Sequence, residues 1–198
     1  MERVICLLIG YVFGLFQTAY FYGKTKGIDI RKYGSGNAGT TNALRVLGTK
    51  AGLIVFAGDC LKCIIAVCIT RALFSTGHPE NIYLLCLYTG AGAIIGHNFP
   101  FYMGFKGGKG IAATAGLILS FHPYFIVMGV VLFFGAFLTT HYVSLGSLLV
   151  YAGFMIQMVV CGQMGLFGAM PQSQLYEMRL LNFIRLWHIG STDRILSA

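Results

Sequence analysis

A glycine-rich stretch in the first quarter of the chain combines a flexible backbone with hydroxyl groups and an arginine. It reads Gly34-Ser-Gly-Asn-Ala-Gly-Thr-Thr-Asn42, and Arg45 follows three residues later. Glycines allow consecutive backbone N–H groups to point into one concavity, and an arginine adds a charged pair of parallel donors. Such a set suits a phosphate group. The predicted contacts in this loop are Ser35, Gly36, Asn37, Gly39, Thr40, Thr41, Asn42 and Arg45.

The same glycines allow two other interpretations. Gly34, Gly36 and Gly39 match the G-x-G-x-x-G pattern of dinucleotide-binding proteins, but that pattern requires a preceding strand within a βαβ unit. Here an apolar segment and a basic loop precede it, so we treat the match as accidental. A flexible turn without a ligand is the other alternative, and the number of donors beside Arg45 disfavours it.

A second glycine-rich loop, Phe105-Lys-Gly-Gly-Lys-Gly110, leads directly into an apolar segment. Free amides and the helix dipole at a helix N-terminus attract anions, so this loop predicts a second phosphate site. It is not a Walker A loop, because the spacing before Gly108-Lys109 is one residue short and a glycine replaces Ser or Thr. Lys106 is interpreted as a surface charge. The predicted contacts are His97, Gly107, Gly108, Lys109 and Gly110.

His97 has two roles open from the sequence, as a buried capping residue or as a substrate contact. It is also a candidate general base, together with His141, because a neutral imidazole suits that task. The loops contain no evident serine–histidine–carboxylate set, and no metal cluster or cofactor motif appears. Cys60-Leu-Lys-Cys63 matches CxxC, but it lies in an apolar segment without a second ligand pair.

The segments that must position these loops are strongly apolar. Hydrophobic residues make up 57% of the chain and charged residues 10%, against roughly 25% charged residues in soluble domains. Long apolar runs without alternation predict an all-α integral membrane protein. The net charge of +8 lies in loops, which indicates membrane orientation and small anions rather than nucleic acid. We expect one membrane domain over residues 1–198 with six to seven transmembrane helices and glycine-rich cytoplasmic loops.

Hydropathy predicts apolar segments near 4–22, 51–71, 81–99, 111–121, 124–140 and 145–168, with an ambiguous tail at 175–189. Segment 111–121 would be only about 16 Å long and should pack inside the bundle. The loop 23–50 carries six Lys and Arg residues and one Asp, whereas the loop 72–80 contains no Lys or Arg. The positive-inside rule therefore places 23–50 in the cytoplasm, and counting spans places 100–110 and 141–144 there too.

The two loop motifs, together with Tyr142-Val-Ser-Leu-Gly-Ser147, resemble the bacterial PlsY family of acyl-phosphate:glycerol-3-phosphate acyltransferases over roughly residues 10 to 168. The resemblance implies a seven-helix plasma-membrane enzyme with an outside N-terminus and no cofactor. Its reaction would move a fatty acyl group from acyl phosphate to the 1-hydroxyl of sn-glycerol 3-phosphate, giving lysophosphatidate. The resemblance assigns catalytic roles to Ser35, Arg45 and Lys109, adds Ser147 to the substrate contacts, and requires no side chain as the base.

Asp59 and Lys62 lie three residues apart inside the second apolar segment. A charge at mid-membrane costs about 2.5–3.5 kcal/mol on insertion scales, so these two must be paired or face the bundle interior. We predict an internal salt bridge that supports the site rather than a catalytic carboxylate.

The tail departs from the family's pattern, which ends with a full span and a His-Arg-x-Asn-Ile-x-Arg-Leu motif. Asn182 and Arg185-Leu186 fit that motif, but Arg179-Leu180 occupies the His-Arg positions. The mixed composition of 175–189 predicts an amphipathic helix on the outer surface and a weak or inactive transferase.

The alternative function is a membrane transporter of phosphorylated metabolites, although such proteins place their site between matching halves and no halves match here.

Overall fold

The computed structural model describes residues 1–167 and 171–190, with the last nine of these as backbone alone. Within these residues the chain forms α-helices joined by loops and short 3-10 turns, and no strand is present. This confirms the predicted all-α class. The helices are α1 (Glu2–Gly14), α2 (Thr18–Thr25), α3 (Thr40–Leu47), α4 (Thr49–Phe74), α5 (Ile82–Asn98), α6 (Ile111–Phe121), α7 (Pro123–Thr140), α8 (Val143–Gln163) and α9 (Gln172–Gly190).

Five stretches of the described chain are long and apolar enough to cross a membrane. They are Glu2–Thr25, Thr49–Phe74, Pro79–Met103, Pro123–Thr140 and Val143–Gln163. The short apolar helix α6 packs against α4 inside the bundle, as its length predicted. There a side chain at Gly116 would lie 2.3 Å from the carbonyl oxygen of Cys60, so only glycine permits this approach.

The first apolar segment is not the single unbroken helix that hydropathy predicted. Helix α1 ends at Gly14 and α2 begins at Thr18, because Gln17 adopts an extended conformation. A break inside the membrane leaves carbonyl groups without helical partners, and they must be satisfied from elsewhere in the protein. Lys62 donates to Phe16 O at 2.6 Å, and the Tyr102 hydroxyl donates to Leu15 O at 2.7 Å. The break is therefore stabilised by side chains that hydropathy does not detect.

Helices α1 and α5 pack with their backbones in contact, through Gly10 and Gly14 on one and Gly92 and Gly96 on the other. A Cβ on Gly10 would lie 1.9 Å from Thr89 O, and one on Gly92 would lie 2.1 Å from Leu7 O. Both pairs are spaced as G-x-x-x-G, the small-residue pattern that lets membrane helices approach closely. This contact sets the position of the end of α5 at which His97 lies.

Helix α9 belongs to the bundle over the first half of its length. Leu175 and Met178 are buried in the main hydrophobic core, and Glu177 forms an ion pair of 2.9 Å with Arg3 and accepts a hydrogen bond from Tyr88 on α5. Residues 172–181 therefore pack against the bundle, at the end that carries Arg3, and the placement of the tail on the outer surface stays a prediction. Asn182 and Arg185, which fit the family's last motif, fall among residues 182–190, whose side chains lie outside the described part.

Candidate active site

A polar cavity of about 260 Å³ lies where three loops that are distant in the sequence meet. They are the loop before α3, the loop before α6 and the turn between α7 and α8. The residues that line it are Ser35, Asn37, Gly39, Thr40, Thr41, Asn42, Arg45, Phe56, Asp59, His97, Lys109, Gly110, Ile111, Ala112, Phe133, His141, Tyr142, Val143 and Ser144.

Three helix N-termini border this cavity, those of α3, α6 and α8. Gly39, Gly110 and Tyr142 are the residues that precede these helices, and none of the three provides a side-chain hydrogen bond to cap the first turn. The first N–H groups of a helix lack partners within it and carry the positive end of the helix dipole. The cavity is therefore bordered by uncapped helix ends of the kind that bind phosphate.

Asn42 holds the first loop in its shape. Its Nδ2 donates to the carbonyl oxygens of Ile30, Tyr33 and Asn37 at 3.0–3.2 Å, and its Oδ1 accepts from Ser35 N at 2.9 Å. The side chain is 1% exposed and its polar atoms bond to the loop itself. We had predicted Asn42 as a substrate contact, but these bonds give it a structural role at the wall of the cavity.

The glycines of the first loop serve its backbone conformation. Gly34 has φ +58°, and a Cβ there would lie 2.2 Å from the Asn42 side chain. Gly36, with φ +71°, donates its N–H to Tyr33 O at 3.0 Å and does not line the cavity. Gly36, a predicted substrate contact, therefore forms part of the turn, and its neighbours Ser35 and Asn37 line the cavity.

The second loop folds back onto the end of its own helix, α5. Gly107 N donates to Asn98 O at 3.0 Å and Gly108 N donates to His97 O at 3.1 Å. These two amides bond to the end of α5, and neither glycine lines the cavity, so the structure does not bring the predicted contacts Gly107 and Gly108 into it. Glycine is needed at both positions for space, because a Cβ would lie 1.9 Å from His97 O at 107 and 2.1 Å from His97 Nε2 at 108.

Arg45 and Lys109 supply the positive charge of the cavity, and Lys106 is exposed outside it. Thr40 adds a buried hydroxyl that has no hydrogen-bond partner among the described residues. The one acidic residue of the first loop, Asp29, forms hydrogen bonds of 3.0 and 2.8 Å with Arg31. This pairing lowers the pKa of Asp29 to about 2, so the carboxylate stays ionised and the Arg31 guanidinium balances its charge. Asp29 therefore does not compete for the cations of the cavity.

A buried polar cluster forms the floor of the cavity and contains the predicted salt bridge. Lys62 Nζ lies 2.9 Å from Asp59 Oδ1 and 2.8 Å from His97 Nδ1. Thr18, just after the break between α1 and α2, donates to Asp59 Oδ1 at 2.9 Å. Asp59 Oδ2 is buried without a hydrogen-bond partner in the described structure. The cluster therefore joins α2, α4 and α5 beneath the phosphate-binding loops.

An apolar cavity of about 310 Å³ adjoins the polar one, and Phe56, Ile111 and Phe133 line both. It lies between α4, α6, α7 and α8, and Ile118, Val130 and Val150 are among its walls. Ser147 faces this second cavity and donates to Val143 O of its own helix at 2.8 Å. Ser147, a predicted substrate contact, therefore lies beside the apolar cavity and does not line the polar one.

Ten of the fourteen predicted contacts line the polar cavity, and Gly36, Gly107, Gly108 and Ser147 do not. The sequence analysis missed Phe56 and Phe133, which separate the two cavities. Both are single aromatic residues inside apolar helices, where nothing in the local pattern distinguishes them from residues that face lipid.

Comparison with known proteins gives a consistent assignment. A family model described as glycerol-3-phosphate acyltransferase matches residues 4–198, which include the tail. A glycerol-3-phosphate acyltransferase of Halalkalibacterium halodurans is 40% identical over 200 residues, covering 100% of this chain and 94% of the relative. One of Thermoanaerobacter sp. is 42% identical over 150 residues, covering 75% of this chain and 72% of the relative.

Solved structures agree with the sequence relatives. The crystal structure of PlsY (YgiH), an integral membrane glycerol 3-phosphate acyltransferase, in its glycerol 3-phosphate form has a TM-score of 0.79 and 28% identity, covering 100% of this chain and 93% of that one. Its lysophosphatidic acid form has a TM-score of 0.75. With a family match over nearly its whole length and a common membrane fold, this chain belongs to the glycerol-3-phosphate acyltransferase family, as an enzyme of the membrane.

Proposed function

We propose that this enzyme transfers a fatty acyl group from acyl phosphate to the 1-hydroxyl of sn-glycerol 3-phosphate, forming lysophosphatidate and inorganic phosphate. One observation carries the proposal. A cavity bordered by three uncapped helix N-termini and two cations adjoins an apolar cavity, and Phe56, Ile111 and Phe133 line both. A substrate that is anionic at one end and a hydrocarbon at the other matches both halves.

The polar cavity suits the phosphates of both substrates. Arg45 and Lys109 provide full positive charges, and the first turns of α3, α6 and α8 provide amides and the positive ends of their dipoles. Two phosphates brought close together repel each other, so a site for this reaction must supply several positive groups from different directions. The Thr40 hydroxyl, buried and without a partner in the described structure, is a further donor for one of them.

The apolar cavity suits the start of an acyl chain. A chain that enters past Phe133 and Phe56 would place its carbonyl carbon at the junction, beside the ends of α6 and α8. Burial of methylene groups contributes about 0.8 kcal/mol each, which would hold the donor in the membrane while its phosphate reaches the polar cavity. The junction is therefore where we place the reacting carbonyl.

The reaction needs positioning more than it needs a strong nucleophile, because acyl phosphate is an activated mixed anhydride. The 1-hydroxyl oxygen attacks the carbonyl carbon and a new ester C–O bond forms. The bond between that carbon and the bridging phosphate oxygen breaks, and the leaving phosphate takes the electron pair. The hydroxyl proton passes to a phosphate oxygen. Positive groups at the junction stabilise the oxyanion that develops on the carbonyl oxygen.

The forms in which the related enzyme was crystallised support this choice of substrate and product. One form is named for glycerol 3-phosphate and the other for lysophosphatidic acid. Its relatives come from bacteria, and the positively charged loops gather at one end of the bundle. We therefore propose the bacterial plasma membrane as the location and its cytoplasmic side as the active face.

The decisive experiment is an assay of the purified protein in detergent with palmitoyl phosphate and sn-glycerol 3-phosphate. We expect lysophosphatidate and inorganic phosphate to appear in equal amounts, with no lysophosphatidate when palmitoyl-CoA replaces palmitoyl phosphate. Equal rates with the two donors would refute the donor assignment. Substrates that return unchanged, combined with uptake of glycerol 3-phosphate into proteoliposomes, would favour the transporter alternative.

A further inference from the structure

The Lys62 side chain is surrounded by acceptors on three sides. Its ammonium nitrogen lies 2.6 Å from Phe16 O, 2.9 Å from Asp59 Oδ1 and 2.8 Å from His97 Nδ1. The residue is 5% exposed, so water does not replace any of these partners. Asp59 at 2.9 Å forms an ion pair with this side chain inside the protein.

An ammonium group has three N–H donors and no acceptor. Phe16 O and Asp59 Oδ1 are two of its partners. His97 Nδ1 at 2.8 Å is much closer than the remaining acceptor, Gly14 O at 3.4 Å, so we assign the third donor to His97. That ring nitrogen must therefore present its lone pair and cannot carry a proton. In a neutral imidazole the proton then resides on the other nitrogen, Nε2.

The Nε2 atom lies on the side of the ring that faces the second phosphate-binding loop. A Cβ on Gly108 would come within 2.1 Å of it, and the ring lines the polar cavity although His97 is only 2% exposed. Gln17 fixes the backbone at the same point by donating to His97 O at 2.9 Å. The position of the imidazole is thus fixed by Gln17 at its backbone, by Lys62 at Nδ1 and by the close approach of Gly108 to Nε2.

We propose that Lys62 acts as a positioning residue that locks His97 in the Nε2–H tautomer, so that His97 donates a hydrogen bond to a substrate phosphate oxygen and does not serve as a general base. The proposal rests on the proposed function and deepens it, because it assigns His97 a role in that reaction. A nitrogen that already carries a proton cannot accept the proton of the 1-hydroxyl. The absence of a basic nitrogen at His97 agrees with the phosphate oxygen that the proposed reaction uses as the acceptor of that proton.

The first test reads the tautomer directly and needs no turnover. Histidine-labelled ¹⁵N protein is studied by NMR in detergent, and the His97 signals are identified by their loss in His97→Gln. The two ring nitrogens differ widely in shift according to which is protonated. We expect a protonated Nε2 and an unprotonated Nδ1, and a change in the Nε2–H signal when sn-glycerol 3-phosphate is added. A protonated Nδ1 would overturn the proposal.

The second test separates a donor from a base by activity. Gln at position 97 retains an N–H donor near the place of Nε2 but has no basic nitrogen, whereas Leu retains neither. We expect His97→Gln to lose about 10-fold or less and His97→Leu on the order of 10²-fold or more, the range for one lost donor in such a site. A general base would give equal losses, roughly 10²- to 10⁴-fold in both variants, and would overturn the proposal.

The third test addresses Lys62 itself. Lys62→Arg retains donors toward Nδ1, whereas the double variant Asp59→Asn/Lys62→Met removes the donor without leaving a lone buried charge. We expect the double variant to show mixed His97 tautomers by NMR, with Lys62→Arg retaining protonated Nε2. An unchanged tautomer in the double variant would show that Lys62 does not set it. Because both NMR readouts are independent of the acyl donor, they stand even if the transferase assay fails.

Discussion

The side-chain oxygen of Asn42 lies 2.9 Å from the backbone nitrogen of Ser35, and its amide nitrogen reaches three carbonyl oxygens of the same loop. One buried side-chain amide therefore holds together the loop for which the sequence predicts phosphate binding. The sequence assigns Asn42 to the substrate, but its side-chain polar atoms bond to the loop.

Replacing Asn42 with Ala should disorder the loop and lower both stability and activity. Asn37 O and Ser35 N would lose the Asn42 side chain as their partner, and each buried group left unsatisfied costs about 1–3 kcal/mol. Ile30 O and Tyr33 O would each lose one of their two donors. We expect a lower thermal midpoint in detergent and a transferase rate reduced by at least about 10-fold. Asn81→Ala is the control, because Asn81 donates only to the exposed Glu80. Equal midpoints for the two variants would contradict this role.

Arg45→Ala and Lys109→Ala should each lose most transferase activity while the protein still inserts and remains monodisperse. Both residues line the polar cavity, and loss of one donor that faces a developing charge typically costs on the order of 10²-fold in rate. Lys106→Ala is the matched control, since Lys106 is an exposed lysine of the same loop outside the cavity. A wild-type rate in Arg45→Ala or Lys109→Ala would refute the assignment of that residue.

Thiol labelling tests the orientation of the loops in the membrane. In a Cys68→Ala background, which removes the one exposed native cysteine among the described residues, Gly77→Cys should react with an impermeant reagent added to intact cells and Thr25→Cys should not. Both positions are exposed, and a Cβ at Gly77 would contact nothing within 4 Å. Labelling of Thr25→Cys alone would reverse the predicted topology.

Glu177→Ala should loosen the tail from the bundle. The Glu177 carboxylate joins α9 to Arg3 on α1 and to the Tyr88 hydroxyl on α5, and hydrogen bonds to charged groups contribute about 1.5–3 kcal/mol. We expect a lower thermal midpoint and faster proteolysis within residues 164–198. Glu80→Ala serves as the control, because Glu80 bonds only to its neighbour Asn81. A midpoint equal to that of the control would mean that packing of Leu175 and Met178 alone docks the helix.

The sequence predicted the helices and the phosphate-binding loops because both depend on local composition. Long apolar runs define the spans, and the bounds predicted for the short helix, 111–121, agree with those of α6, Ile111–Phe121. Glycines beside cations mark the loops in the same way. The Asp59–Lys62 pair could also be predicted, since two charges at i,i+3 inside an apolar helix have few other partners.

The features that the sequence did not predict depend on contacts between distant segments. The break before Thr18 exists because Lys62, 46 residues after Phe16, satisfies a carbonyl group that a continuous helix would have bonded. Gly107 and Gly108 have the composition of an anion-binding loop, but their amides bond to the end of α5. Local sequence patterns identify the hydrogen-bond donors of a loop. They do not show which of these donors form hydrogen bonds to other parts of the protein.

The ion pair within α4 also bears on how the protein enters the bilayer. Asp59 and Lys62 lie on one face of a single helix with their charged atoms 2.9 Å apart. Each charge alone would oppose transfer from the translocon into lipid by about 2.5–3.5 kcal/mol. Because both partners belong to one helix, they can neutralise each other before any other helix arrives. The second hydrophobic segment can thus partition into the membrane during synthesis with no net charge from this pair. Lys62, which we propose orients His97, then enters the bilayer together with Asp59.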